Sequence, residues 1–220
     1  LIFGSELKAV LAAPSVPREI NPAALLDYLT FSFIPAPKTI FKDIHKLPAG
    51  SLLTLHDGKL TLRQYWDLRF RGWSAESPDV MAEQLWWRLG RATRPRLIAD
   101  VPLGAFLSGG LDSAAVVAAM SQLARNEIAT VTCGFDEERF DERADALEVA
   151  ALLQTKHHEM LARPAAAEIA DTLALYFDEP FADASAIPTY YLARETRRLV
   201  TVALSGDGGD EVLAGYRRYR

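Results

Sequence analysis

Residues 104–113 read Gly-Ala-Phe-Leu-Ser-Gly-Gly-Leu-Asp-Ser. Gly104 to Leu107 is a short apolar run of strand character, and Leu111 opens a helical stretch that continues to about Leu123. Ser108-Gly109-Gly110 therefore falls where a strand ends and a helix begins. In a doubly wound sheet, that junction is where ligands bind. Two glycines let the backbone turn tightly and approach an anion closely. The first N–H groups of a helix lack intrahelical partners, and the helix dipole favours negative charge beside them. Ser108 and Ser113 add hydroxyl donors. Asp112 is out of place in an anion site until a cation is added, and a carboxylate beside phosphates suits a hard Mg²⁺ ion. A turn followed by a helix cap uses the same residue types. The Gly-x-x-x-x-Gly-Lys-Ser/Thr phosphate loop is absent.

A second stretch changes the weight of the first. Ser205-Gly206-Asp207-Gly208-Gly209-Asp210-Glu211 follows the apolar run Val200 to Leu204 and holds three glycines and three acids. Such a run cannot be a core strand, and its charges repel without a counter-ion. Alone it reads as an exposed acidic turn. Two Ser-Gly turns at strand ends of one sheet, each followed by an acid, would bring Asp112 and Asp210 to one Mg²⁺ ion and its triphosphate.

Between these loops, strand-like and helical runs alternate. A helix is expected from Asp79 to about Arg96, a strand over Ile128 to Phe135 and a helix over Asp141 to Gln154. A strand over His157 to Leu161 precedes helices over Pro164 to Phe177 and Ile187 to Leu199. This alternation predicts an α/β fold with a parallel sheet covered on both faces. Residues 1–66 have a different texture. Short helices at Ser5 to Ala12 and Pro22 to Leu29 are punctuated by prolines, and Asn21 and Pro22 mark a helix start. Ser51 to Leu55 and Leu60 to Tyr65 flank Asp57-Gly58, a hairpin signal, so this part reads as the close of a β-rich domain. Residues 67–78 read as a linker and residues 79–220 as the α/β domain.

The 220 residues are half hydrophobic and carry a net charge of −5, which argues against a general nucleic-acid binder. The single cysteine, Cys133, excludes an internal disulfide framework and fits a reducing compartment. No apolar run approaches the ~20 residues that span a bilayer, and no secretory signal is visible. The chain starts at Leu1 and stops after Tyr-Arg-Arg-Tyr-Arg, so it reads as an excerpt of a longer protein.

Ser108 to Ser113 matches the SGGxDS pyrophosphate loop of the adenylating amidotransferase and synthetase superfamily. Residues 178–198, DEPFADASAIPTYYLARETRR, and 203–219, ALSGDGGDEVLAGYRRY, resemble the asparagine synthetase family in particular. Leu1 to Ala12, the stretch around Pro37 to Leu55 and Tyr65-Trp66-Asp67 resemble the end of that family's glutaminase domain. The resemblance implies an ATP-pyrophosphatase domain, of the adenine nucleotide alpha hydrolase-like kind. The end of an α+β N-terminal-nucleophile glutaminase domain precedes it.

The same resemblance implies a cytoplasmic, Mg²⁺-dependent ligase of the glutamine-hydrolysing asparagine synthase class (EC 6.3.5.4). In the family, aspartate attacks the α-phosphate of ATP, giving β-aspartyl-AMP and pyrophosphate, and ammonia from glutamine displaces AMP. Transferred onto this chain, Ser108, Gly109, Gly110, Asp112 and Ser113 would hold the pyrophosphate and its Mg²⁺, with Asp210 the second metal carboxylate. Phe106 and Cys133 would line the adenine pocket, and Ser205 with Gly206 would contact the nucleotide. Asp207 stands where some members have the Glu assigned to the acyl-adenylate and ammonia steps, and it is one methylene shorter. Partners would be aspartate, ATP and glutamine-derived ammonia, with no nucleic acid or membrane; a homodimer is compatible with the resemblance. The glutaminase cysteine would precede Leu1, and a lysine stabilising adenylation would follow Arg220. Relatives with the same loops adenylate other acids, as β-lactam synthetases and biosynthetic-cluster amidotransferases do. A nucleotide-binding protein without catalysis is a third reading, against which the intact Asp112 and Asp210 argue.

The remaining candidates have ordinary accounts. His157-His158-Glu159 invites a metal, but neighbours on a strand face opposite ways. Asp141 and Glu142 follow Phe140 as an acidic pair near the nucleotide in relatives, and helix capping accounts for Asp141 equally well. Trp86-Trp87 reads as core and interface, Cys133 as a buried inert thiol, and Arg217-Arg218 as a solvated helix face.

Overall fold

The computed structural model describes residues 1–69, 72, 74–124, 126–136, 141–163 and 165–216. Readings that concern Phe140, Arg217 and Arg218 lie outside the described residues. The chain divides into two units, Leu1–Trp73 with Ala165–Ala186, and Ser74–Pro164 with Ile187–Arg220.

In the first unit, helices α1 (Leu7–Leu11) and α2 (Pro22–Phe31) precede a two-stranded sheet of β1 (Ser51–His56) and β2 (Lys59–Gln64). Asn21 caps α2 as its type predicts, accepting from the N–H groups of Ala23 at 3.1 Å and Ala24 at 3.4 Å. The helix runs two residues past the expected end. The hairpin turns on Asp57 at φ 47° and Gly58 at φ 75°, the paired left-handed conformation for which Asp-Gly is suited. Ala24, Ile34 and Ile40 form a small core, with Leu7, Tyr28 and Phe41 packed on it.

The second unit begins with α3 (Pro78–Thr93), capped by Ser77, and a 3₁₀ turn (Arg94–Leu97). Strand β3 (Leu103–Phe106), helix α4 (Leu111–Leu123), strand β4 (Ala129–Phe135), helix α5 (Arg143–Leu153) and strand β5 (Lys156–Ala162) follow. Helix α6 (Ala166–Phe177) belongs to the first unit. Helix α7 (Ala186–Thr196) brings the chain back to β6 (Val202–Leu204) and α8 (Gly209–Leu213). The four strands are all parallel, in the order β5-β4-β3-β6. Ala105, Leu107, Val117, Met120, Ile128, Ala146 and Ala150 build the core between this sheet and helices α4 and α5.

The strand order positions the site. From β3 the chain advances to β4 and β5 on one side, and β6 is added on the other. The carboxyl ends of β3 and β6 are therefore neighbours at the point where the order reverses, the position at which open α/β sheets bind ligands. Trp86 and Trp87 differ from expectation: at 39% and 58% exposure they are not core. Arg91 covers Trp87 instead, 4.6 Å above the ring centroid. The core part of that reading took apolar type for burial, and α3 leaves both rings open.

Candidate nucleotide site

Strand β3 delivers Ser108 to the carboxyl end of the sheet. Leu107, 2% exposed, anchors the turn through its N–H to the Val131 carbonyl at 2.9 Å, and Thr132 Oγ1 donates to the Leu107 carbonyl. Ser113, 8% exposed, is the hub of the loop. Its Oγ accepts the Ser108 N–H at 3.1 Å, lies 2.8 Å from Ser108 Oγ and donates toward the Gly110 carbonyl at 3.1 Å. Ser108 Oγ accepts the Gly110 N–H at 3.1 Å. The serines therefore knit the turn internally. The N-cap of α4 is Gly110, and no side chain caps that helix. The opening N–H groups of α4 thus keep their capacity for an anion.

The two Ser-Gly turns meet. A β-carbon on Gly206 would lie 2.6 Å from Ser113 N and 2.9 Å from the Asp112 carbonyl carbon. A β-carbon on Gly209 would overlap the Asp112 carboxylate. The second turn thus lies directly on the start of α4, through two glycines whose missing side chains make room. Asp207 is exposed and held locally: Ser205 Oγ donates to its Oδ2 at 3.0 Å and accepts its N–H at 3.4 Å. Asp210 sits against Gly215, where a β-carbon would overlap Asp210 Oδ1.

Among the described residues, neither the Asp112 nor the Asp210 carboxylate has a hydrogen-bond or ion-pair partner. Among the described residues no three His, Cys, Asp or Glu side chains converge on a metal position. Two unpartnered carboxylates on adjoining turns suit Mg²⁺, which is commonly held by one or two carboxylates together with substrate phosphates and waters.

Phe106 ends β3 and Cys133 lies in the neighbouring strand β4. Partial burial pushes the Cys133 thiol above its ordinary value, so it behaves as a thiol rather than a nucleophilic thiolate. Next to it, Gly134 lies under a salt bridge. Asp141 accepts from Arg143 Nε at 2.8 Å and from Nη2 at 2.7 Å, and a β-carbon on Gly134 would run into both side chains. The Arg143 guanidinium holds the Asp141 carboxyl below its usual range. Asp141 also accepts the Arg143 N–H at 3.2 Å, while Glu142 is the N-cap residue of α5 and makes no side-chain cap. His157 Nδ1 is 2.9 Å from Thr130 Oγ1 on the adjacent strand.

One neighbour of the site was not anticipated. Asp145, in the first turn of α5, reaches Gly109, where a β-carbon would lie 2.5 Å from Asp145 Cβ. Nothing in the spacing of Gly109 and Asp145 signals this contact, because it depends on how α5 packs beside α4.

Residues 85–220 match the family Asparagine synthase. The chain belongs to the asparagine synthase family. Residues 1–66 of this asparagine synthase family member match a glutamine amidotransferase domain. It is 34% identical over 99% of its length to asparagine synthetase [glutamine-hydrolyzing] 1 of Bacillus subtilis, covering 34% of that protein. It is 37% identical over 98% of its length to the putative asparagine synthetase [glutamine-hydrolyzing] 2 of Methanocaldococcus jannaschii, covering 42% of it. Over 83% of its length it is also 30% identical to the amidase chyE of Penicillium rubens, covering 30% of that protein. The chain thus spans roughly a third to two-fifths of the length of the relatives it matches. Among the described residues, no helix is long and apolar enough to cross a membrane.

Proposed function

We propose that the protein to which this chain belongs makes asparagine from aspartate, ATP and glutamine, releasing AMP, pyrophosphate and glutamate, through a β-aspartyl-AMP intermediate. The observation that carries this reading is the meeting of the two Ser-Gly turns, Gly206 against Ser113 and Gly209 against Asp112. The family matches of the two parts of the chain support the pairing of glutamine hydrolysis with ATP-dependent amide formation.

In this reading Ser108, Gly109, Gly110 and Ser113 cradle the pyrophosphate with hydroxyls and backbone N–H groups. Asp112 and Asp210 hold Mg²⁺, which supplies charge neutralisation to the phosphates. Phe106 and Cys133 line the adenine pocket, and Ser205 with Gly206 contacts the nucleotide. Phosphorus chemistry of this kind asks for positioning and electrostatic stabilisation more than for an acid or base. Asp207 is the acid placed to act in the acyl-adenylate and ammonia steps. Its hydrogen bond from Ser205 fixes the carboxylate at the turn that touches Ser113. Such a protein is expected in the cytoplasm, with small-molecule substrates.

The test is an assay of asparagine and pyrophosphate formed by the full-length protein from aspartate, MgATP and glutamine. Stoichiometric asparagine, AMP and pyrophosphate are expected. ATP–pyrophosphate exchange that depends on a different carboxylic acid, with no asparagine, would overturn the choice of acceptor and leave the adenylation site standing.

A further inference from the structure

Asp145 on α5 lies against Gly109 in the first nucleotide turn. A β-carbon on Gly109 would be 2.5 Å from Asp145 Cβ and 3.0 Å from Asp145 Oδ2. Gly109 does not have a positive φ, so its backbone conformation does not demand glycine. The room that a side chain at 109 would need is taken by Asp145 instead.

Helix capping does not account for this carboxylate. Asp145 stands three residues past Glu142, the N-cap of α5, where an acid commonly reaches back to the N-cap N–H. Among the described residues it makes no such bond, nor any other hydrogen bond or ion pair. Arg143, a cation of the same turn, is held by Asp141 through Nε at 2.8 Å and Nη2 at 2.7 Å. Support of the loop does not require an acid either. The contact at 2.5 Å is made by the β-carbon, which alanine also has.

On the other side of the contact is the phosphate cradle. The Ser108 and Gly110 N–H groups are taken by Ser113 Oγ and Ser108 Oγ. The Gly109 N–H has no acceptor among the described residues, so it stays open to an anion. An exposed carboxylate lies beside that donor. Negative charge so placed repels polyphosphate, and the repulsion grows with the charge the polyphosphate carries. ATP without Mg²⁺ carries about two more negative charges than MgATP.

We propose that Asp145 is a specificity-determining residue of the nucleotide site. Its carboxylate disfavours metal-free ATP and metal-free pyrophosphate on the loop relative to the Mg²⁺-bound forms, whose phosphate charge is partly offset. Metal-free polyphosphate is then a poor competitor for the cradle. This rests on the nucleotide site proposed above and not on the choice of acceptor.

The experiment titrates ATP in EDTA, and separately MgATP, into the full-length protein and its Asp145→Asn and Asp145→Ala variants by calorimetry at low and high salt. Asparagine keeps the shape of the side chain, and alanine keeps the β-carbon against Gly109. In both variants the Kd for metal-free ATP, divided by the Kd for MgATP, should fall about tenfold at low salt. The difference from wild type should shrink at high salt. An unchanged ratio overturns the inference, and so does an equal change in both affinities, the mark of a residue that only supports the loop. If one variant fails to fold, the other is read by the same ratio. Wild-type protein that binds neither form overturns the nucleotide site and this inference with it. Tight MgATP binding with an unchanged ratio overturns this inference alone.

Discussion

Gly206 lies so close to the start of α4 that a β-carbon there would sit 2.6 Å from the backbone nitrogen of Ser113. The turn after β6 and the turn after β3 therefore form one surface, and only an unsubstituted residue lets them do so. The obstacle is backbone, which cannot swing aside as a flexible side chain can. Gly206→Ala should separate the turns and destabilise the fold by about 1–3 kcal/mol, as overpacking does. ATP–pyrophosphate exchange should fall with it. Thermal unfolding together with exchange kinetics checks this; an alanine variant with wild-type exchange would show that the turns need not touch.

Ser113→Ala removes the hydroxyl on which Ser108 N, Ser108 Oγ and the Gly110 carbonyl converge. Leaving buried partners unsatisfied costs about 1–3 kcal/mol, and the loop loses its preset shape. The expected outcome is a KM for ATP raised more than kcat is lowered, because the cradle must be reorganised on binding. Ser113→Cys, which keeps the size but bonds weakly, should fall between.

Asp112→Ala deletes an intermediate-exposure carboxylate that has no partner among the described residues, so the fold should survive. Mg²⁺-dependent pyrophosphate release should drop on the order of 100-fold or more. Circular dichroism and a pyrophosphate assay together decide the matter. Wild-type turnover in this variant would refute the metal assignment for Asp112 and, with it, the pairing with Asp210.

His157 carries a pH prediction. Burial lowers its pKa from the ordinary 6.5, Glu159 opposes the shift and His158 adds to it. The native state therefore prefers the neutral ring, and the unfolded chain takes up a proton first as pH falls. Stability is complete above 6.5 and declines as pH drops through that value, until the folded-state value is passed. His157→Gln should flatten the slope of the urea midpoint between pH 7.5 and pH 5 (about one unit either side of the window). An unchanged slope would assign the acid sensitivity to other groups.

Much of this architecture is readable from local pattern. Gly109-Gly110 before a periodic run sets both ends of α4 at Leu111 and Leu123, where they are observed. Asp57-Gly58 between alternating strands gives the hairpin, and its two positive φ values are those the dipeptide tolerates. The adjacency of the two turns is also readable, since both follow strands of one parallel sheet. What local pattern cannot convey is which body a helix joins. Ala166–Phe177 has the same helical texture as its neighbours, yet it belongs to the same compact unit as residues 1–73. Asp178 and Glu179, just past its end, reach Lys8 and Ile40 across 170 and 139 positions of chain. Asp145 beside Gly109 escaped for the same reason. Trp86 and Trp87 misled because apolar type was read as burial, and burial is decided by what packs over α3.

The placement of α6 also bears on the order in which the protein is made. A ribosome delivers Leu1–Trp73 before the run of β3 to β5, and Ala165–Ala186 only after that run. Until Ala165–Ala186 emerges, Lys8 lacks Asp178 and has Glu6 to pair with, Lys46 lacks Glu179, and the N–H groups of Lys8 and Ile40 lack their acceptors. The amino-terminal body is thus finished by a later part of the same chain, so a nascent chain stalled before residue 186 holds it incomplete. Cutting the gene between the two matched families would not yield two independent pieces.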